Sequence, residues 1–306
     1  MGSEMCIRDR WGPGRVYKPT KELTDMSKGK RLTSTVTSDS TVHLRIEEFE
    51  VPTPGPDEVL IAVEASPINP SDLGLLLAGA HPSTASKSEN GLTLSLPDGA
   101  IDALAARIDQ AMPVGNEGAG TVIDTGSEEQ ARALQGQIVA VLAGGMYSTH
   151  RIVKARDCLV LQEGTEAIDA ASCFVNPLTA LGMTETMRLE GHAALIHTAA
   201  ASNLGQMLNR ICLNDDIDLV NIVRRNEQAE LLKSQGAEYV VNSSDADFAE
   251  QLTAALNATG ATLAFDAIGG GKLGNSILMA MEAAAVQRMT VWSRYGSNEF
   301  KQLYIF

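Results

Sequence analysis

Apolar and polar positions alternate in short runs through the first half of the chain and settle into a longer, regular rhythm in the second. Thr33–Val36 and Val42–Ile46 alternate strictly and are rich in β-branched residues, which predicts half-buried strands. Pro, Gly and Asp crowd positions 52–58, a turn signal, and Val59–Val63 follows as another strand. Val114–Asp124, Gln137–Leu142, Tyr147–Val153 and Cys158–Leu161 read as further short strands. Many short strands punctuated by turns predict a small β-barrel-like domain. Residues 81–111 interrupt the run: Ser83–Asn90 is polar and predicts a loop. Gly99–Gln110 predicts a short helix, with Ile101, Leu104, Ala105 and Ile108 at helical spacing. The stretch is expected to be an insertion over one edge of this domain.

From about Asn176 strands and helices alternate. The expected strands are Ala193–Thr198, Asp218–Val223, Tyr239–Asn242 and Ala261–Asp266, with a last one starting in Lys301–Phe306. Between them Leu204–Leu213, Glu227–Gln235, Asp247–Ala258 and Lys272–Ala284 predict helices. Such alternation predicts a doubly wound parallel sheet, so the fold class is α/β. The expected division is a leader over residues 1–30, a β-rich domain over 31–175 and an α/β domain over 176–306.

The turn after the first α/β strand reads His197-Thr-Ala-Ala-Ala-Ser-Asn-Leu-Gly205. A dinucleotide-binding turn has the form G-x-G-x-x-G, and here its three glycine places hold Ala200, Ser202 and Gly205. Small residues still permit backbone approach to a pyrophosphate, and a helix N-terminus near Leu204 supplies unbonded N–H groups. The plain alternative is a small-residue βα turn with no ligand. About twenty residues on, where an NAD site carries an acidic side chain, the chain has Val223-Arg224-Arg225-Asn226. Two guanidiniums there fit a 2′-phosphate, which points to NADPH, or are solvated arginines at a strand end.

Composition narrows the classes. Of 306 residues, 44% are hydrophobic and 20% charged, the balance of a globular protein. No apolar run approaches the roughly 18–20 residues that span a bilayer, and no secretory leader is evident, so a cytoplasmic location is expected. The net charge of −14 disfavours nucleic acid and anionic lipid as partners. The four cysteines, Cys6, Cys158, Cys173 and Cys212, form no zinc-binding spacing and read as free thiols. The first ten residues, MGSEMCIRDR, read as a translated artefact, with Met26 as an alternative start.

Taken in order, Glu58-Val-Leu-Ile, Asn69-Pro-Ser-Asp72, Gly115-Asn-Glu-Gly-Ala-Gly120, Asn176-Pro-Leu-Thr-Ala180, the Ala199–Gly205 loop and Phe265-Asp-Ala-Ile-Gly269 resemble the medium-chain dehydrogenases from about Leu32 to Phe306. The resemblance implies a GroES-like catalytic domain followed by a Rossmann domain, with the active site in the cleft between them. Zinc alcohol dehydrogenases carry a cysteine where this chain has Asn69 and a histidine where it has Asn116, so the resemblance is to the zinc-free, quinone oxidoreductase-like branch. It implies an NADPH-dependent oxidoreductase that passes hydride to a quinone or activated alkene. The Asn-Pro-Ser-Asp and Gly-Asn-Glu-Gly blocks also resemble mitochondrial-type enoyl thioester reductases, the alternative reading. Those enzymes carry a tyrosine proton donor near the position of Ala80, and Tyr147 is a candidate stand-in. A non-catalytic NADPH-binding protein or an inert fragment is a further alternative. The implied catalytic residues are Asn69, Asp72 and Tyr147. The implied cofactor residues are Thr179, Ala200, Ala201, Ser202, Asn203, Leu204, Gly205, Arg224, Arg225 and Ile268. His197 is expected to be a satisfied core histidine, and Asp266 a strand-end cap or a ligand contact. A small-molecule substrate and a homodimer are the implied partners. The chain is expected to be truncated at its C-terminus, inside a strand.

Overall fold

The structure, a computed structural model, describes residues 27–306; the expectations for Cys6, Met26 and the leader up to residue 26 lie outside the described residues, while Lys28–Lys30, expected in the leader, open the first strand opposite Glu48–Glu50. The described residues form two compact units that divide between Cys173 and Phe174.

In the first unit β1 (Lys28–Thr37) and β2 (Thr41–Glu50) form an antiparallel hairpin in unbroken register, from Lys28 opposite Glu50 to Thr37 opposite Thr41. Its turn is fixed by Asp39, whose carboxylate accepts from the hydroxyls of Thr37 and Thr41, and by Ser40 in the left-handed region at φ 61°. Then follow β3 (Glu58–Ala65), α1 (Pro70–Leu77), β4 (Ser86–Ser88), β5 (Gly91–Ser95), α2 (Ala100–Ala103), β6 (Met112–Pro113), β7 (Glu117–Thr125), α3 (Glu129–Arg132), β8 (Ile138–Leu142), β9 (His150–Lys154), β10 (Leu159–Val160) and α4 (Ala167–Ala170). They make two five-stranded sheets, ordered β4-β5-β2-β1-β6 and β10-β8-β7-β3-β9. The sheets meet where Leu32 donates its N–H to the Tyr147 carbonyl and Thr149 donates to the Lys30 carbonyl, both at 2.8 Å. Val59, Ile61, Val63, Val122, Val139 and Val141 fill the core of the second sheet.

Two expectations for residues 81–111 are corrected. Ser83–Asn90 is not simply a loop, because Ser86–Ser88 pairs with β5 and the hairpin extends the first sheet. Gly99–Gln110 is not one helix: α2 stops after four residues and a tight turn over Ala105–Arg107 follows. The break is tertiary. Asp109, at φ 58°, donates its N–H to the Val36 carbonyl, and Ile108 bridges to Val36, so β1 captures a segment that helical spacing alone would continue.

The second unit runs α5 (Val175–Leu189), β11 (Ala194–His197), α6 (Asn203–Asn214), β12 (Asp218–Val223), α7 (Asn226–Ser234), β13 (Tyr239–Asn242), α8 (Phe248–Thr259), β14 (Leu263–Asp266), α9 (Leu273–Arg288) and β15 (Gln302–Ile305). Its five strands are all parallel, in the order β13-β12-β11-β14-β15. Ala194, Ile196, Val220 and Ile222 pack with residues of α8 and α9 on one face. Leu195, Leu219, Leu263 and Phe265 pack with residues of α5 and α6 on the other. The chain leaves β11 in one direction for β12 and β13 and returns to its other side for β14. That reversal is a topological switch point, and ligands of open α/β sheets bind beyond the strand ends there.

His197 is a core residue, but not a satisfied one. It is fully buried, and neither ring nitrogen has a hydrogen-bond partner among the described residues. Burial pushes its pKa down from 6.5 to about 4, against the opposing pull of Asp266. An unfolded chain takes up this proton near pH 6.5, whereas the folded unit resists it until about pH 4. The associated stability is fully present above pH 6.5 and is lost as pH falls toward 4, an effect of ~3 kcal/mol. Melting temperatures recorded down this pH range should therefore fall more steeply for the unmodified protein than for His197→Leu; parallel curves would show that His197 does not govern the acid response.

Candidate functional site

The second unit supplies a dinucleotide-type turn. Beyond β11, Thr198 donates its N–H to the Phe265 carbonyl and Ala200 donates to the Ile222 carbonyl, which ties the turn to both neighbouring strands. Ala199 takes the left-handed conformation at φ 50°, so the sharp reversal falls one residue before Ala200, where the motif had placed the first glycine. Ser202 caps α6: its hydroxyl oxygen accepts from the Gly205 N–H at 3.1 Å. The helix thus begins at Asn203 rather than Leu204. Among the described residues the N–H groups of Asn203 and Leu204 have no acceptor, so both remain available at the positive end of the helix.

Gly205 is required by close approach, since a Cβ there would lie 2.2 Å from the Ala200 carbonyl oxygen. The side chains of Ala200 and Ala201 are buried in a cluster with Val223, Ala229 and Leu232, so these residues can offer a ligand only backbone. At the adjoining end of β14, the Asp266 carboxylate accepts from the Thr198 hydroxyl at 2.7 Å and from the Ile268 N–H at 3.0 Å. The Thr198 oxygen accepts in turn from the Ala267 N–H at 2.9 Å. Asp266 is therefore the strand-end cap, and it fixes the loop that carries the exposed Ile268. Thr198 received no role from the sequence; a threonine directly after a buried strand was its only signal.

Arg224 and Arg225 follow β12 and are both exposed. The Arg224 N–H donates to the Gln228 side chain at 3.2 Å and its carbonyl accepts from the Ser244 hydroxyl at 2.9 Å. The Arg224 backbone is thus pinned, and its side chain is exposed. Thr179 lies within α5, where its hydroxyl donates to the Val175 carbonyl at 2.7 Å. That bond is the one expected of a helix-interior threonine.

The first unit gathers the other three candidates. Asn69 precedes α1 in extended conformation, Pro70 opens the helix, and Asp72 reaches back to accept the Asn69 N–H at 2.8 Å. The second Asp72 oxygen accepts the Asn116 N–H, also at 2.8 Å. The Asn69 amide donates to Glu117 at 2.9 Å, and Asn69, Asp72 and Glu117 are all buried. Tyr147 donates its hydroxyl to the Pro67 carbonyl at 2.9 Å. Burial, and then the neighbouring charge of Asp72, raise its pKa well above the ordinary phenol value. Its ring is seated by Gly115, in the left-handed region at φ 97°, where a Cβ would come within 2.6 Å of the ring. Glu117 received no role from the sequence. A glutamate followed by Gly118, Ala119 and Gly120 in a strand destined for burial was the available signal.

Among the described residues, no group of three or more His, Cys, Asp or Glu side chains could hold a metal ion. The Asn116 amide instead donates to the Ser71 hydroxyl. Ala80, the position compared with a tyrosine donor, is buried in a cluster with Val36, Val42, Leu44 and Leu94. A tyrosine at that position would overpack the core rather than equip a site.

No family model matches the chain. In sequence it is related to mitochondrial enoyl-[acyl-carrier-protein] reductases. That of Xenopus tropicalis is 26% identical over 235 residues, 74% of this chain and 60% of its own. That of Mus musculus is 24% identical over 263 residues, 84% of this chain and 64% of its own. The chain thus spans less than two thirds of the length of these relatives. Among solved structures, a protein assigned as an NADPH:quinone reductase from Mesorhizobium loti matches with a TM-score of 0.62 at 28% identity, over 87% of this chain and 72% of its own. A counterpart assigned in the same way from Bacillus thuringiensis matches with a TM-score of 0.64 at 27% identity, over 82% and 68%. The expected likeness to quinone oxidoreductase-like and enoyl reductase proteins is borne out, as is the GroES-like plus Rossmann fold.

Proposed function

We propose that the chain is an NADPH-dependent oxidoreductase that passes hydride to a quinone or activated alkene without catalytic zinc. The observation that carries this is the sheet edge of the second unit: two amides at the start of α6 with no acceptor among the described residues, close approach at Gly205, and two exposed arginines after β12 in place of a carboxylate. The Asn203 and Leu204 amides hold the pyrophosphate of NADPH, and Arg224 and Arg225 hold its 2′-phosphate. Ala200, Ala201 and Ser202 shape the backbone beneath it, with Ile268 and Thr179 assigned to the nicotinamide end. NADPH supplies the hydride; the protein binds, orients and excludes water.

In the first unit Asn69, held through its amide by Glu117, and Tyr147 are the polar groups assigned to the acceptor, with Asp72 as the positioning residue that fixes the chain at Asn69. Tyr147 is a reluctant proton donor, because its hydroxyl is engaged by Pro67 and burial raises its pKa. That ranks quinones and small enals first, since solvent can protonate a quinol oxygen. Enoyl thioester reduction, which the relatives' names favour, is the second reading and makes Tyr147 the donor. Steady-state NADPH consumption with quinones, enals and enoyl thioesters should run appreciably faster with the first two; highest turnover with thioesters would reverse the ranking. A homodimer is the proposed assembly.

Amide side chains are poor zinc ligands, and both Asn69 and Asn116 spend their NH2 groups on protein acceptors. Elemental analysis of purified protein should find no stoichiometric zinc, and one tightly bound zinc per chain would overturn that part of the proposal.

A further inference from the structure

The first unit carries a concentration of positive charge that the proposed chemistry does not use. Arg151, on β9, is half-buried, and its guanidinium carbon lies 3.5 Å from the point where a Gly145 side chain would begin. One terminal nitrogen donates to the Ala143 carbonyl at 3.3 Å. Its Nε–H is buried with no acceptor, and no carboxylate pairs with it among the described residues. Arg31, on β1, bridges to Ser148, three residues before Arg151. It lies over the Phe49 ring at 5.4 Å and meets Glu47 at 3.4 Å, and its Nε–H is likewise buried without an acceptor. The two guanidiniums are close enough that the charge of Arg31, after burial, lowers the pKa of Arg151.

These facts describe an unbalanced site. Arg31 has one partly exposed carboxylate partner, Glu47, and Arg151 has none among the described residues, inside a chain whose net charge is −14. A partly desolvated guanidinium with no counter-ion is unfavourable, and a buried N–H left unbonded adds on the order of 1–3 kcal/mol. Water can satisfy the N–H groups but leaves the charge uncompensated. A tetrahedral oxyanion answers both, because arginine presents its donors in a fork that matches phosphate oxygens.

The geometry points to Arg151 and Arg31 as a binding site for a small oxyanion of the phosphate class, separate from Arg224 and Arg225 of the second unit. The site does not depend on the dinucleotide reading, and the probe that tests it is inorganic phosphate. Two-dimensional spectra of the arginine Nε–H groups, recorded in low chloride on the cofactor-free full chain, should show the Arg151 and Arg31 signals shifting saturably with added phosphate. The melting temperature should rise in parallel; phosphate at a hundredfold over its dissociation constant shifts the folding equilibrium about a hundredfold. Both responses should persist in the Arg224→Ala, Arg225→Ala double variant and weaken at least tenfold in Arg151→Gln. Nε signals that do not move with tens of millimolar phosphate would overturn the proposal, whatever the variants do. Stabilisation kept in Arg151→Gln but lost in the double variant would overturn it too, by assigning the anion to the second unit.

Discussion

Replacing Arg224 and Arg225 together with alanine is expected to weaken NADPH binding by at least tenfold while leaving NADH nearly unchanged. Each charge-assisted hydrogen bond to phosphate contributes ~1.5–3 kcal/mol, and every 1.4 kcal/mol is about a factor of ten in affinity. The fold should not suffer. Both side chains are exposed, and the interactions that fix Arg224 run through its backbone, to Gln228 and Ser244. Titrations of the two cofactors against the double variant check this. Equal losses for NADPH and NADH would mean that these arginines do not read the 2′-phosphate.

Adding one methyl group at Gly205 is expected to damage the same site from beneath. In Gly205→Ala the new carbon would lie 2.2 Å from the Ala200 carbonyl oxygen, a backbone atom that cannot rotate away. Either the turn or the start of α6 must move, and overpacking of this kind costs about 1–3 kcal/mol. The shift carries the Asn203 and Leu204 amides away from the pyrophosphate, so NADPH and NADH should both weaken, by about tenfold or more. Gly182→Ala is the control: Gly182 lies within α5 with nothing inside 4 Å of the added carbon, and alanine should raise stability by ~0.5–1 kcal/mol. Unchanged melting temperature and cofactor affinity in Gly205→Ala would mean that the turn is not the tight junction described.

The second unit was legible in the sequence because its central strands β11, β12 and β14 are buried on both faces and read as largely apolar runs. Asp218–Val223 and Tyr239–Asn242 occupy the expected residues without a shift. The first unit was less so, because tertiary contacts decide its boundaries. β1 and β2 each run ten residues, well past their alternating centres, since pairing with each other sustains the polar ends. Gly99–Gln110 held a helical period that the Val36 backbone overrode. The site divides in the same way. A turn and an arginine pair lie within short stretches of chain and can be read in order. Glu117 beneath Asn69 and Thr198 on Asp266 are contacts across 48 and 68 positions, and no local pattern announces them. Ala80 erred in the opposite direction, because a position counted along a motif proved to face the core.

The central claim is that this chain transfers hydride from NADPH and does not merely bind it. Single-turnover mixing of the full chain with NADPH deuterated at C4, each face in turn, and a small enal gives the most direct reading. One deuterium on the β-carbon of the saturated product, from one face only, is the predicted result. Saturable NADPH binding with no deuterium in any product would contradict the claim and leave a cofactor-binding protein without turnover.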